Sequence, residues 1–207
     1  VLADTTHRCE IDLSEDIVFR TDGPDHPVII IDGPSPKDVL TKLGDLTGTI
    51  EMPPKWAVGY HQCRYSYNPD SRVREVAAEF RERRIPADVI WMDIDYMNEF
   101  RVFTWDESQF PDPADLNAYL DSIGFSNVWM IDPGVKNEDG YFVADSGDAI
   151  DAWVKTADGE TYTGYVWPGE CVFPDYTNAR VREWWAGLYE DFMAQGIDGV
   201  WNDMNEP

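Results

Sequence analysis

The chain has 207 residues, 43% of them hydrophobic, which is enough to bury the core of one or two domains. Its 40 acidic residues against 16 basic ones give a net charge of −24, which argues against nucleic acid and anionic membranes as partners. No apolar run is long enough to cross a bilayer, and Cys9, Cys63 and Cys171 form neither a disulfide framework nor a zinc spacing.

In chain order, residues 1–32 read as short β segments. Arg8 to Leu13 and Ile17 to Thr21 alternate, Asp22-Gly23-Pro24-Asp25 is turn material, and Val28 to Ile31 is a short apolar run. They look like the last strands of a β domain. Residues 33–55 form a connection. Ser35 caps a helix with Pro36 as its first residue, running to about Leu46 with Val39, Leu40, Leu43 and Leu46 on one face.

A repeating unit follows over 56–207. Trp56 to His61, Val89 to Ile94, Val128 to Ile131 and Ile197 to Trp201 are apolar strands. Helices fall between them: Ser71 to Arg84, a helix opened by Asp112-Pro113 and stopped by Gly124, and one capped by Asn178 and stopped by Gly196. A long excursion, 135–177, separates the third strand from its helix and contains β-like pieces such as Thr161 to Trp167. Strands alternating with helices predict a parallel α/β architecture. An open doubly wound sheet would carry a glycine-rich turn after its first strand, where this chain has Gln62-Cys63-Arg64-Tyr65-Ser66-Tyr67. The first half of a (β/α)8 barrel, about four β/α units, is therefore the preferred fold.

Three of the four strands end in acids: Asp93 and Asp95 in Trp91-Met-Asp-Ile-Asp95, Asp132 in Trp129-Met-Ile-Asp132, and Asp203 in Trp201-Asn-Asp203. A helix cap explains any one of them, but three with flanking tryptophans fit the site-bearing face of a barrel better. Clustered carboxylates with abundant aromatics, nine Trp among them, point to glycoside chemistry. One carboxylate attacks or stabilises an oxocarbenium-like carbon and another acid protonates the leaving oxygen. Magnesium-dependent chemistry on the same acids is the rival, ranked lower because no phosphate-binding loop accompanies them. His7, His26 and His61 are scattered, and the sequence predicts no metal and no cofactor. Because it opens on Val1 and stops at Pro207 in mid-motif, the chain is expected to be a piece of a longer protein.

Several ordered motifs carry a resemblance: Met52-Pro-Pro-Lys-Trp-Ala57, Gly59-Tyr-His-Gln-Cys-Arg-Tyr-Ser-Tyr67, Asp88-Val-Ile-Trp-Met-Asp-Ile-Asp-Tyr-Met97, Phe110-Pro-Asp112, Val166-Trp-Pro-Gly169, Phe173-Pro-Asp-Tyr-Thr-Asn178 and Trp201-Asn-Asp-Met-Asn-Glu-Pro207. Over about residues 33–207 the chain resembles family 31 glycoside hydrolases, in particular their glucosidase-II-like branch and the heteroglycan α-glucosidases of plants and algae. The resemblance implies a retaining exo-acting α-glucosidase with an α-glucoside as its partner. Asp203 would be the nucleophile that forms a covalent glycosyl ester. Asp93 would hold the hydroxyls of the terminal glucose, and Trp201, Met204, Trp167, Ile131 and Tyr65 would line its subsite. Asp95 and Asp132 would support them, and Glu206 would be structural or orienting. The family's acid/base Asp belongs to a later strand that this chain does not contain. An α-xylosidase, an α-glucan lyase or a non-catalytic sugar-binding relative are the alternatives. Residues 1–32 are expected to end a β-sandwich. The compartment stays open: sparse cysteines lean to a reducing cytoplasm or plastid, while the glucosidase-II-like look allows the endoplasmic reticulum.

Overall fold

The structure is a computed structural model that describes residues 1–205. It divides into two compact units, Val1–Met52 and Pro53–Pro207. The first holds strands β1 (Leu2–Ala3), β2 (Cys9–Asp12), β3 (Val18–Thr21) and β4 (Val28–Ile29), paired antiparallel as β1 with β4 and β2 with β3. Helix α1, Pro36–Thr47, follows. The Ser35 hydroxyl accepts from the Asp38 N–H and so satisfies one of the N–H groups left open at a helix start. None of the residues of α1 is buried.

In the second unit, β5 (His61–Gln62), β6 (Val89–Met92), β7 (Ser126–Ile131) and β11 (Gly199–Asn202) form one sheet. Its order is β11-β7-β6-β5, and every pair is parallel. Chain order and spatial order agree, so these strands progress in one direction around the sheet with no reversal. That is how a barrel winds, whereas a doubly wound sheet turns back on itself. Helices α2 (Asp70–Glu82), α3 (Pro113–Ser122) and α5 (Ala179–Met193) make the three crossovers. The excursion after β7 contains β8 (Val135–Lys136), α4 (Phe142–Asp148), β9 (Thr163–Val166) and β10 (Gly169–Val172). Its strands form a separate antiparallel sheet in the order β8-β10-β9.

The core lies between the parallel sheet and its helices. Val73 and Ala77 of α2, Leu116 and Leu120 of α3, and Val181 and Phe192 of α5 are buried with Ile90, Met92, Trp129 and Ile131. Each fully buried Leu contributes about 1.5–3 kcal/mol of burial free energy. Arg81 ties the ends of α2 and α3 together. Its guanidinium donates to the carbonyls of Ile123, Ala87 and Gly124 and stacks 3.8 Å over the Phe125 ring. A polar clamp holds the amino end of β7. Trp129 Nε1 donates to Asn117 Oδ1 and Asn127 Oδ1, both at 3.1 Å, while the Asn127 side chain donates to the Gly196 carbonyl and to Asp198.

The expected strand Trp56 to His61 is mostly not a strand. Lys55–Val58 is a 3₁₀ turn, with the Ala57 N–H donating to Pro54 O and the Gly59 N–H to Trp56 O, so only His61–Gln62 joins the sheet. A short apolar run has no periodicity to separate strand from helix, and Pro53-Pro54 here leads into a turn. The excursion also contains helix α4, which the sequence did not signal.

Candidate active site

The register of the sheet decides which side chains meet. Val89 pairs with His61, Trp91 with Val128, Met130 with Trp201, and Val128 with Gly199. Registered partners share a face and alternate residues return to it. Asp93, Asp132 and Asp203 are each the first residue past the end of their strands, β6, β7 and β11. Continuing the alternation from Trp91, Met130 and Trp201 carries all three acids to the face opposite the helices, at the carboxyl ends of the strands. Ile90, Trp129 and Ile131 alternate to the other face and enter the core.

The electrostatics record the convergence of Asp93 and Asp203. Asp93 caps the 3₁₀ turn Ile94–Tyr96, accepting from the Ile94 N–H at 2.7 Å. Partial burial nevertheless raises its pKa above the ordinary carboxylate value; the Ile94 bond opposes that rise, and the charges of Asp203 and then Asp95 add to it. The capping role and the site role therefore coexist in one residue. Burial also raises the Cys63 thiol, and the Asp93 charge adds to the shift. The Tyr65 hydroxyl is pushed up by desolvation first, then by Asp95 and Asp93. Two residues of the loop after β5 thus lie within the field of the acids that follow β6.

Aromatic rings meet on the strands and loops that carry the acids. Trp91 and Trp201 meet edge-on with centroids 5.5 Å apart. Trp167 at the β9–β10 turn lies 6.0 Å from Tyr65 and 5.6 Å from Phe100, and is 47% exposed. The turn carrying Phe100 is fastened by ions. Arg101 donates to both oxygens of Glu138 at 2.9 Å and to Glu99, and Lys136 bridges Glu99 and Glu138. The sequence reading missed Phe100 and Arg101, because neither sits at a strand end or in an acid cluster.

The other expected residues fall in distinct places. Ile131 is 1% exposed within the core, and its carbonyl accepts the Asp203 N–H at 3.1 Å. Asp132 is 2% exposed. Burial raises the Tyr96 hydroxyl and pushes the Cys171 thiol up to about 11, and the Asp132 charge adds to both shifts. Met204 takes a left-handed backbone, φ 54°, turning the chain immediately after Asp203. Together with Asn205 it lines a pocket of about 540 Å³ with Pro133, Tyr162, Val166 and Phe173. The excursion closes on the exit of β7 here: a β-carbon at Gly134 would lie 2.6 Å from Val166, so only glycine fits. Glu206 lies outside the described residues. Among the described residues no three His, Cys, Asp or Glu side chains are grouped to hold a metal ion, and no helix is long and apolar enough to cross a membrane.

The model of the glycosyl hydrolases family 31 TIM-barrel domain matches residues 50–207. Alpha-glucosidase 2 of Bacillus thermoamyloliquefaciens is 44% identical over 210 residues, covering 100% of this chain and 27% of that protein. Neutral alpha-glucosidase AB of Homo sapiens is 40% identical over 183 residues, covering 87% of this chain and 19% of that one. The crystal structure of the family 31 alpha-glucosidase from Bacteroides thetaiotaomicron superposes with a TM-score of 0.91 at 53% identity, covering 100% of this chain and 35% of that one. The chain thus spans between 19% and 27% of the length of these two curated relatives. With its strands in consecutive parallel order and its acids on the strand ends, the chain belongs to glycosyl hydrolase family 31, and its sheet is part of that family's TIM barrel.

Proposed function

We propose that the polypeptide carrying this chain is a retaining, exo-acting α-glucosidase that removes terminal α-linked glucose from oligosaccharides or α-glucans. The observation that carries the reading is geometric: Asp93 and Asp203 directly follow β6 and β11, each two residues after a tryptophan, and those two tryptophans meet edge-on 5.5 Å apart, with the Asp203 charge adding to the raised pKa of Asp93. We assign Asp203 as the nucleophile, whose carboxylate attacks the anomeric carbon and forms a glycosyl ester. Its backbone N–H is held by Ile131 O, and the left-handed turn at Met204 fixes where it stands. Asp93 receives the hydroxyls of the same glucose. Tyr65, Trp167 and Trp201 offer ring faces to its C–H surface, and Met204 flanks the nucleophile. Asp95 and Asp132 support the site through their fields. We assign the proton donor to the leaving oxygen to none of the acids above, so the reaction requires a further acid. No cofactor takes part in this reading.

The test is trapping. Incubation with 5-fluoro-α-glucosyl fluoride, followed by peptide mass spectrometry, should place one glycosyl label on Asp203. A label on Asp93 or Glu206 would keep the retaining class and overturn the assignment of roles. The absence of any label in a protein that still binds maltose would replace the enzyme with a sugar-binding protein.

A further inference from the structure

One polar contact on the inner face of the sheet lies outside the roles assigned above. Trp91 Nε1 donates to His61 Nδ1 at 3.1 Å, and the two rings lie 5.8 Å apart. An indole nitrogen can only donate, so Nδ1 must be unprotonated and accepting. The other ring nitrogen, Nε2, is buried and has no hydrogen-bond partner among the described residues. Among those residues the bond to Trp91 is the one that the His61 side chain makes.

Trp91 occupies a place from which both acids can be set. It is two residues before Asp93 on β6, so alternation puts its ring on the same face. It also meets the Trp201 ring, although β6 and β11 are separated by β7. Trp201 is in turn two residues before Asp203. The indole of Trp91 thus spans from the strand of one acid to the strand of the other, and its rotation about the side-chain bonds sets how closely Trp201 approaches. An edge-on aromatic contact alone leaves that rotation soft. A directional N–H bond to His61 on a third strand removes the freedom.

We propose that His61 is a positioning residue for the Asp93–Asp203 pair, acting through the Trp91 indole onto Trp201. The inference rests on the α-glucosidase reading above. His61 touches neither substrate nor reacting atoms; it fixes a spacer between two strand ends. The donor–acceptor bond, not the bulk of the imidazole, carries the effect, because burial of the ring could be supplied by any apolar side chain of similar size.

The experiment is a double-mutant cycle on the complete polypeptide that carries this chain, with kcat and KM measured on maltose and melting temperature measured alongside. His61→Leu removes the acceptor, and Trp91→Phe removes the donor while keeping a ring against Trp201. Each should lower kcat/KM by about tenfold, through kcat more than KM. The double variant should be no worse than the poorer single one, since both remove the same bond. His61→Asn, whose Oδ1 stands where Nδ1 does and can accept the indole proton, should stay within about threefold of wild type. Losses that multiply to about a hundredfold in the double variant, or a His61→Asn as impaired as His61→Leu, would overturn the inference. Losses that follow melting temperature across the set would also overturn it and reduce His61 to packing. An inactive wild type would sink the α-glucosidase reading and this inference with it. Activity with an additive cycle would sink the inference alone.

Discussion

Helices α1 and α3 begin in the same way. Ser35 or Asp112 caps, Pro36 or Pro113 follows, and the cap oxygen accepts the N–H three residues on. Both then carry an apolar row at helical spacing. In α3 the row is buried, with Leu116 and Leu120 at 0% exposure, whereas in α1 Leu40 is 65% exposed and no residue is buried. The local grammar is equal and the burial is not. An amphipathic pattern therefore reports which face of a helix is apolar; whether that face is covered is decided by what the rest of the fold lays against it. The same division separates the whole units: every residue of the buried core lies beyond residue 52.

The most severe break of this comparison is chemical. Asp203→Asn, in the complete polypeptide, should reduce turnover of an α-glucoside by at least about a thousandfold, because it removes the carboxylate that we propose as the nucleophile. Its melting temperature should stay within a few degrees, since Asp203 lies at a strand end and belongs to no core cluster. A loss of activity that followed unfolding would mean that site and frame are not separable.

Next comes burial itself. Leu116→Ala should cost about 2–5 kcal/mol by denaturant titration, while Leu40→Ala should stay within about 0.5 kcal/mol. Equal costs would show that α1 is covered as α3 is. The caps should behave alike: Asp112→Ala and Ser35→Ala should each cost about 1 kcal/mol, read locally by amide exchange in the first turn of each helix. A difference between them would mean that the shared start hides different energetics.

The smallest effect is a pH dependence. Asp93 is raised in the folded state, so it favours folding below the ordinary carboxylate range, near pH 4, and that contribution is lost as pH rises through the raised value. Asn can retain the cap to the Ile94 N–H without the charge. Asp93→Asn should therefore melt higher than wild type at neutral pH, with the gain vanishing toward pH 3. A gain independent of pH would place its origin elsewhere.

Much of this was legible beforehand because register and alternation are arithmetic. The spacing of two in Trp91–Asp93 and Trp201–Asp203 puts ring and acid on one face, and both pairs are found at the site. The spacing of three in Trp129–Asp132 puts them on opposite faces, so Trp129 is a core residue bonded to Asn117 and Asn127. That distinction lies in the sequence spacing itself. Ile131 obeys the same parity: it shares the core face of Trp129, and its contact with the site runs through its carbonyl. The turn at Lys55–Val58 and helix α4 were not legible, since short apolar stretches take their form from tertiary contacts. The ion cluster of Arg101, Glu138, Lys136 and Glu99 joins residues up to 39 apart in number, a pairing that no local pattern encodes.

The polar clamp at the foot of β7 has a consequence at the opposite end of the sheet. Parallel strands rich in Val, Ile and Trp could slide past one another by one residue at little cost in apolar contact. Such a slip would turn Asp132 toward the helices and unmatch it from Asp93 and Asp203. Asn127 and Trp129 forbid it, because their bonds to Asn117, Gly196 and Asp198 are satisfied at one setting only. The clamp is the zero mark of a ruler: chemistry at the top of the barrel is read off a scale whose origin is fixed at the bottom.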